Sequence, residues 1–218
     1  MIRPLTPLDF KRRAVHLYGD KIGVVDGQRR FTYAELGARS ERLAHALLAH
    51  GLEPGARVAL LAFNSHSLLE AYYGVLEAGG VLLPLNIRLA AEELAAIALH
   101  ARPQFLLVDS ELGPLLASLW PLLEHRPVLW WIGEPPAGRD EPTYEALLEA
   151  APSEPPPVLA IDENAVAELF YTSGTTSRPK GVMLTHRNLY LHALGVLVTM
   201  RGAESDVQLH TIALFHVN

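Results

Sequence analysis

A parallel β-sheet flanked by helices, an α/β fold, is predicted by three observations. Short apolar runs alternate with segments of helical period through the middle of the chain, and glycine or proline stands at most of the joins. The alternation recurs several times without an internal sequence repeat. The 218 residues are 50% hydrophobic and 19% charged, enough to bury the core of one continuous domain.

Thr32 with Glu35 forms a capping box that starts a helix over about 33–50. Leu36, Leu43, Leu47 and Leu48 share one face of it, and Gly51 with Pro54 and Gly55 ends it. Arg57 to Leu61 reads as a buried strand. Ser67 with Glu70 is expected to cap a second helix ending near Gly79, where Gly79-Gly80 turns the chain into a strand over 81–85. Ala91 to His100 forms the next helix, stopped by Pro103. Strands over 105–108 and 128–132 flank a helical stretch over about 112–123. Proline prevents regular pairing in two loop zones, 133–142 and 151–157. A strand over 165–171 follows, 182–184 continues the extended chain, and Thr185 caps a helix running to about Met200.

The formal net charge is −6 and the arginines are scattered, so no basic stripe marks the chain as a nucleic-acid binder. The absence of cysteine excludes a disulfide framework, Cys-ligated zinc and a thiolate nucleophile. Met1 to Asp9 lacks an apolar core and is broken by Pro4 and Pro7, so no targeting segment is read there and the cytoplasm is the expected location. The apolar run from Leu189 to Met200 is interrupted by Tyr190, His192 and Gly195 and falls short of the roughly 20 residues that span a bilayer. Neither His186 with His192 nor His45 with His50 has the i, i+4 spacing of a helical metal-ligand pair. Trp120, Trp130 and Trp131 read as core or interface residues.

One segment carries chemistry. Tyr171-Thr172-Ser173-Gly174-Thr175-Thr176-Ser177-Arg178-Pro179-Lys180-Gly181 gathers hydroxyls, two glycines and a lysine into a short loop after a strand. Glycine lets backbone N–H groups approach an anion, hydroxyls add donors with little bulk, and lysine brings a mobile positive charge. Such a loop is suited to a polyphosphate, and a strand end is where sheets of this type place ligands. Lys180 is followed by Gly181 rather than Ser or Thr, which disfavours the ordinary P-loop. Lysine is otherwise scarce: only Lys11, Lys21 and Lys180 among 18 basic residues.

This loop resembles the signature of the adenylate-forming superfamily, which includes acyl-CoA synthetases, luciferases and the adenylation domains of peptide synthetases. Ser177 stands where that family usually has glycine. Three further segments resemble the family at corresponding places: Phe31 to Leu36, Leu76 to Asn86, and Ile212 to Asn218, the last with Ala213 in place of the usual proline. The first two also read as plain scaffold. The resemblance runs from about Phe31 to Asn218, and a complete member is more than twice as long as this chain.

The resemblance implies that residues 1–218 are the N-terminal part of the large ATP- and acyl-binding domain of an AMP-forming acyl-CoA synthetase. It implies that Ser173, Gly174, Thr175, Thr176 and Lys180 hold the triphosphate, that Thr172 helps hold Mg2+, and that Val217 lines the nucleotide site. It also implies that His216 lies near the acyl carboxylate and the α-phosphate. ATP and coenzyme A would be co-substrates, with a medium- or long-chain fatty acid as the acid. An aryl or short-chain acid is the alternative, and a non-catalytic nucleotide-binding fragment is another. The adenine loop, an acidic Mg2+ ligand and a mobile lysine-bearing domain would lie outside these residues, so the fragment alone is expected to be inactive. Relatives of this kind often form homodimers.

Overall fold

The computed structural model describes residues 3–172 and 179–216. Helix α1 (Leu8–Tyr18) precedes an antiparallel hairpin of β1 (Ile22–Asp26) and β2 (Arg29–Thr32). There follow α2 (Tyr33–Ala49), β3 (Arg57–Leu61), α3 (His66–Glu77), β4 (Val81–Pro84), α4 (Ala91–Ala101) and β5 (Phe105–Asp109). The rest is α5 (Gly113–Leu119), β6 (Val128–Ile132), α6 (Tyr144–Ala150), β7 (Val166–Thr172), β8 (Lys180–Thr185) and α7 (His186–Met200).

The main sheet has the order β6-β5-β3-β4-β7-β8. Its first five strands run parallel, with Val58 of β3 opposite Phe105 of β5 and Leu82 of β4. Only the edge strand β8 departs from this direction, running antiparallel to β7. The connection over 173–179 is far shorter than the dozen or so residues of a parallel crossover, so the chain must double back as a hairpin.

Both faces of the sheet are covered, as strands that are apolar on both sides require. Val58, Leu60, Leu82, Phe105, Leu107 and Trp130 pack under α2, α3 and α6. Ala59, Leu61, Leu83, Leu106, Val108, Leu129 and Trp131 pack under α4 and α5. The two successive tryptophans therefore anchor opposite cores, each at most 1% exposed.

The capping box at Thr32 forms as read: Thr32 Oγ1 accepts from Glu35 N at 3.1 Å, and Thr32 N donates to the Glu35 carboxylate at 2.7 Å. Gly79 ends the next turn with φ +77°, where any side chain would be strained. The expected cap at Ser67 is not the real one. Ser65 caps α3 by accepting from Leu68 N at 3.4 Å, while Ser67 and Glu70 lie buried within the helix. The helix predicted over 112–123 is also broken, into α5 flanked by 3-10 turns at Ser110–Leu112 and Trp120–Leu122. Pro121 has no N–H with which to continue an α-helical ladder.

Glu70 is the centre of a polar network beneath α2. Its carboxylate accepts from Arg39 Nε at 2.6 Å and from the Tyr144 hydroxyl at 2.7 Å, and Arg39 reaches on to Glu145 at 2.7 Å. His66 joins the hairpin to this network. Its Nδ1 lies 2.7 Å from Asp26 Oδ2, its Nε2 lies 3.6 Å from Glu145 Oε1, and the Phe31 ring stacks on it at 4.7 Å.

Burial by itself works against the imidazolium, but the Glu145 and Asp26 carboxylates outweigh it and raise the His66 pKa. His66, with Arg39, in turn holds Glu145 down to about 2 against burial, and Asp26 is lowered by its hydrogen bonds to His66 against the same opposition. The histidine's contribution to stability is complete below its ordinary value of 6.5 and is lost as pH rises through the raised folded-state value. The carboxylates' contribution behaves oppositely, being present above their ordinary range and lost on acidification. Thermal unfolding followed across pH is expected to show a midpoint that falls as pH climbs above 6.5, with a shallower fall in His66→Gln. Equal slopes in the two proteins would contradict this.

Candidate active site

The parallel strands β3, β4, β5 and β7 all end at one edge of the sheet, and the polar residues of interest follow those ends. Strand β7 delivers the hydroxylated loop there. Thr172, its last residue, pairs across the hairpin with Lys180, the first residue of β8, and both side chains are exposed. The neck of the loop thus brings one hydroxyl and one ammonium together with no competing side-chain partner for either among the described residues. Ser173, Gly174, Thr175, Thr176, Ser177 and Arg178 lie outside the described residues, as does Val217.

Below the neck, Gly181 pairs with Tyr171. A Cβ at Gly181 would come 3.3 Å from Leu169 and 3.4 Å from the Tyr171 ring, so a side chain there would press on both. The Tyr171 hydroxyl meets His100 Nδ1 of α4 at 2.5 Å, which ties the strand end to the neighbouring helix. Three residues before Tyr171, Glu168 is 4% exposed and its Oε2 has no partner among the described residues. Burial pushes its carboxyl up to about 8, so it is largely neutral at pH 7.

A cleft of about 630 Å³ opens at the same edge. Phe63 and Asn64 line it after β3, Ile87 and Arg88 after β4, and Leu112 after β5, with Phe215 and its neighbours closing one side. Leu214–His216 form a 3-10 turn in which His216 N donates to Ala213 O at 2.9 Å. The turn forms with alanine where proline was expected. Phe215 is buried at 6% exposure, His216 is exposed, and their rings are 5.1 Å apart. Asn64 and Tyr72 hold the backbone of this turn from below.

Thr172 and Lys180 are therefore brought together, and His216 stands exposed on a separate segment, next to the Phe215 that lines the cleft. Sequence reading missed Asn64, Tyr72 and Arg88. The signal for Asn64 was present: it is a polar residue soon after the carboxyl end of a buried strand, the position where such sheets receive ligands. Among the described residues no group of His, Cys, Asp or Glu is clustered to hold a metal ion, and no helix is long and apolar enough to cross a membrane.

Known proteins match this arrangement over nearly its whole length. Residues 10–218 match the family described as AMP-binding enzyme. A long-chain-fatty-acid–CoA ligase of Thermus thermophilus is 39% identical over 219 residues, covering 96% of this chain and 39% of the relative. A peroxisomal butyrate–CoA ligase of Arabidopsis thaliana is 34% identical over 229 residues, covering 99% of this chain and 40% of the relative. Among solved structures, the o-succinylbenzoate CoA synthetase of Bacillus subtilis in complex with its acyl-adenylate intermediate superposes with a TM-score of 0.77 at 26% identity. That match covers 98% of this chain and 50% of the other. The chain accordingly spans about 40% of the length of these curated relatives. With its loop at the carboxyl edge of a mostly parallel, helix-flanked sheet and a match from residue 10 to residue 218, the chain belongs to the AMP-binding enzyme family.

Proposed function

We propose that this chain carries the phosphate-holding and acid-positioning part of an AMP-forming acid–CoA ligase. The observation that carries the reading is the Thr172–Lys180 neck, exposed at the sheet edge where the cleft also opens. Adenylation needs such a neck. When a carboxylate attacks the α-phosphorus of ATP, pyrophosphate departs and negative charge grows on its oxygens. Lys180, with the amides and hydroxyls of Ser173, Gly174, Thr175 and Thr176, stabilises that charge, and pre-placed donors act on it without reorganising first. His216 orients the acid against the α-phosphate, Val217 lines the nucleotide, and coenzyme A then takes the acyl group by thiol attack on the adenylate.

Thr172 fits a Mg2+ ion, because this cation prefers hard oxygen donors and commonly takes only one or two from protein, the rest from phosphate and water. When bound it would neutralise charge on the triphosphate. The domain reading follows: residues 1–218 form the N-terminal part of the large domain. Isolated, they form no acyl-adenylate, since about three fifths of the curated relatives' length lies outside the match. A cytoplasmic homodimer belongs to the same proposal, and light scattering on a full-length protein tests the pairing.

The acid is read as a medium- or long-chain fatty acid, supported by the 39% identity to the Thermus thermophilus ligase and by the apolar side chains along the cleft. The butyrate–CoA ligase among the relatives supports a shorter acid as the second reading. Pyrophosphate exchange by an enzyme of full family length carrying these residues, assayed over fatty acids of increasing length and benzoate, separates them. Fastest exchange with chains of about eight carbons or more supports the first, whereas fastest exchange with butyrate or benzoate overturns it. No exchange with any acid removes the ligase reading itself.

A further inference from the structure

We infer that Asn64 is a positioning residue for His216, acting through the backbone of the turn that carries the histidine. This rests on the reading of His216 given above. Asn64 lies 148 residues before Ile212 and 150 before Leu214, yet its amide reads both: Nδ2 donates to Ile212 O at 2.9 Å, and Oδ1 accepts from Leu214 N at 2.7 Å. Because one partner is a carbonyl and the other an N–H, only one orientation of the amide satisfies both. The Tyr72 hydroxyl donates to Leu214 O at 2.6 Å from α3, so the residue preceding Phe215 is gripped at N–H and C=O alike.

The clamp matters because of where it is anchored. Asn64 follows β3 in the short link to α3, between two elements that pack in the core, whereas residues 203–213 contain no helix or strand and expose Val207, Leu209 and Ile212 to solvent. The buried Phe215 side chain, the packing of Leu214 on the core and the Asn64 and Tyr72 hydrogen bonds hold this end of the segment to the sheet edge. They fix the backbone two residues before His216, whose side chain is exposed.

The test uses isotope-labelled chain 1–218 and three variants. In Asn64→Ala, amide hydrogen exchange at Leu214 is expected to quicken about tenfold or more, and the His216 ring signals to shift, while exchange at Val58 and Leu107 in the sheet is unchanged. Asn64→Asp keeps the acceptor for Leu214 N–H but sets a carboxylate against Ile212 O. Leu214 should then stay protected while the Ile212 carbonyl signal moves. Tyr72→Phe should quicken exchange near the turn by a smaller factor.

Unchanged Leu214 exchange and unchanged His216 signals in Asn64→Ala would overturn the inference. If that variant unfolds, Asn64→Asp and Tyr72→Phe decide by the same readout. Kinetics in the full-length enzyme add a functional arm, with Asn64→Ala expected to lower kcat for adenylation about tenfold and leave KM for ATP unchanged. Loss of ATP affinity in step with kcat would contradict a role through His216. His216→Ala separates the two claims. If it leaves exchange of pyrophosphate intact, the reading of His216 fails although the clamp still holds the turn.

Discussion

Glu70→Ala is expected to destabilise the chain by about 3–5 kcal/mol, the largest loss from any single polar substitution in the fold. Glu70 is fully buried and accepts hydrogen bonds from Arg39 Nε at 2.6 Å, Arg39 NH2 at 3.3 Å and Tyr144 Oη at 2.7 Å. Alanine would leave the guanidinium with Glu145 alone and orphan the Tyr144 hydroxyl in a site that is 0% exposed. The size of the effect comes from desolvated groups left without partners, more than from the strength of the original bonds. Glu70→Gln keeps the shape and one acceptor, so it should cost less. Glu145→Ala should cost less again, because the Glu145 side chain is 41% exposed. Urea unfolding of the three variants checks the order, and a loss below about 1 kcal/mol for Glu70→Ala would contradict it.

Lys180→Ala is expected to slow adenylation by about one to two orders of magnitude, since one charge-assisted hydrogen bond contributes about 1.5–3 kcal/mol. The side chain is exposed at the first position of β8, so folding should be nearly unaffected and the loss should appear in rate. Lys180→Arg, with its charge differently shaped, should recover part of the rate. Thr175→Ala probes the same site from the loop, and pyrophosphate exchange in the full-length enzyme is the measurement. Unchanged rates in both alanine variants would remove the loop from the mechanism.

The parts of this fold that sequence made legible are those whose signals are local. Strands β3 and β6 were bounded by residue, because an apolar run between Pro54-Gly55 and Asn64, or between Pro127 and Gly133, has few other readings. The box at Thr32 and Glu35 was equally plain, since both partners lie within one turn. What was missed depends on distant partners. Helix α1 buries only Leu8 and Lys11, and Lys11 is buried through its pairing with Glu77 of α3 at 2.6 Å, which no periodicity announces. Helix α6 is seven residues long between two proline-rich zones, too short for Tyr144, Leu147 and Leu148 to stand out as a helical period, although they pack on the core and Tyr144 also bonds Glu70. Ser67 fits a capping box because Glu70 stands three residues after it, and only the burial of both within α3 shows that Ser65 is the cap.

The site divides in the same way. Thr172 and Lys180 were legible because they belong to one contiguous string, and their pairing across β7 and β8 is a consequence of that string's turning back on itself. The contacts of Asn64 and Tyr72 were not, because their partners at 212 and 214 are more than a hundred residues away.

The central claim is that the bend between Thr172 and Lys180 grips the phosphates of ATP. A crystal structure of the full-length enzyme with a non-hydrolysable ATP analogue tests it most directly. The account predicts β- and γ-phosphate oxygens within hydrogen-bond distance of Lys180 Nζ and of the amides over 173–176. Phosphates bound elsewhere on an intact protein, with Lys180 facing solvent, would contradict it.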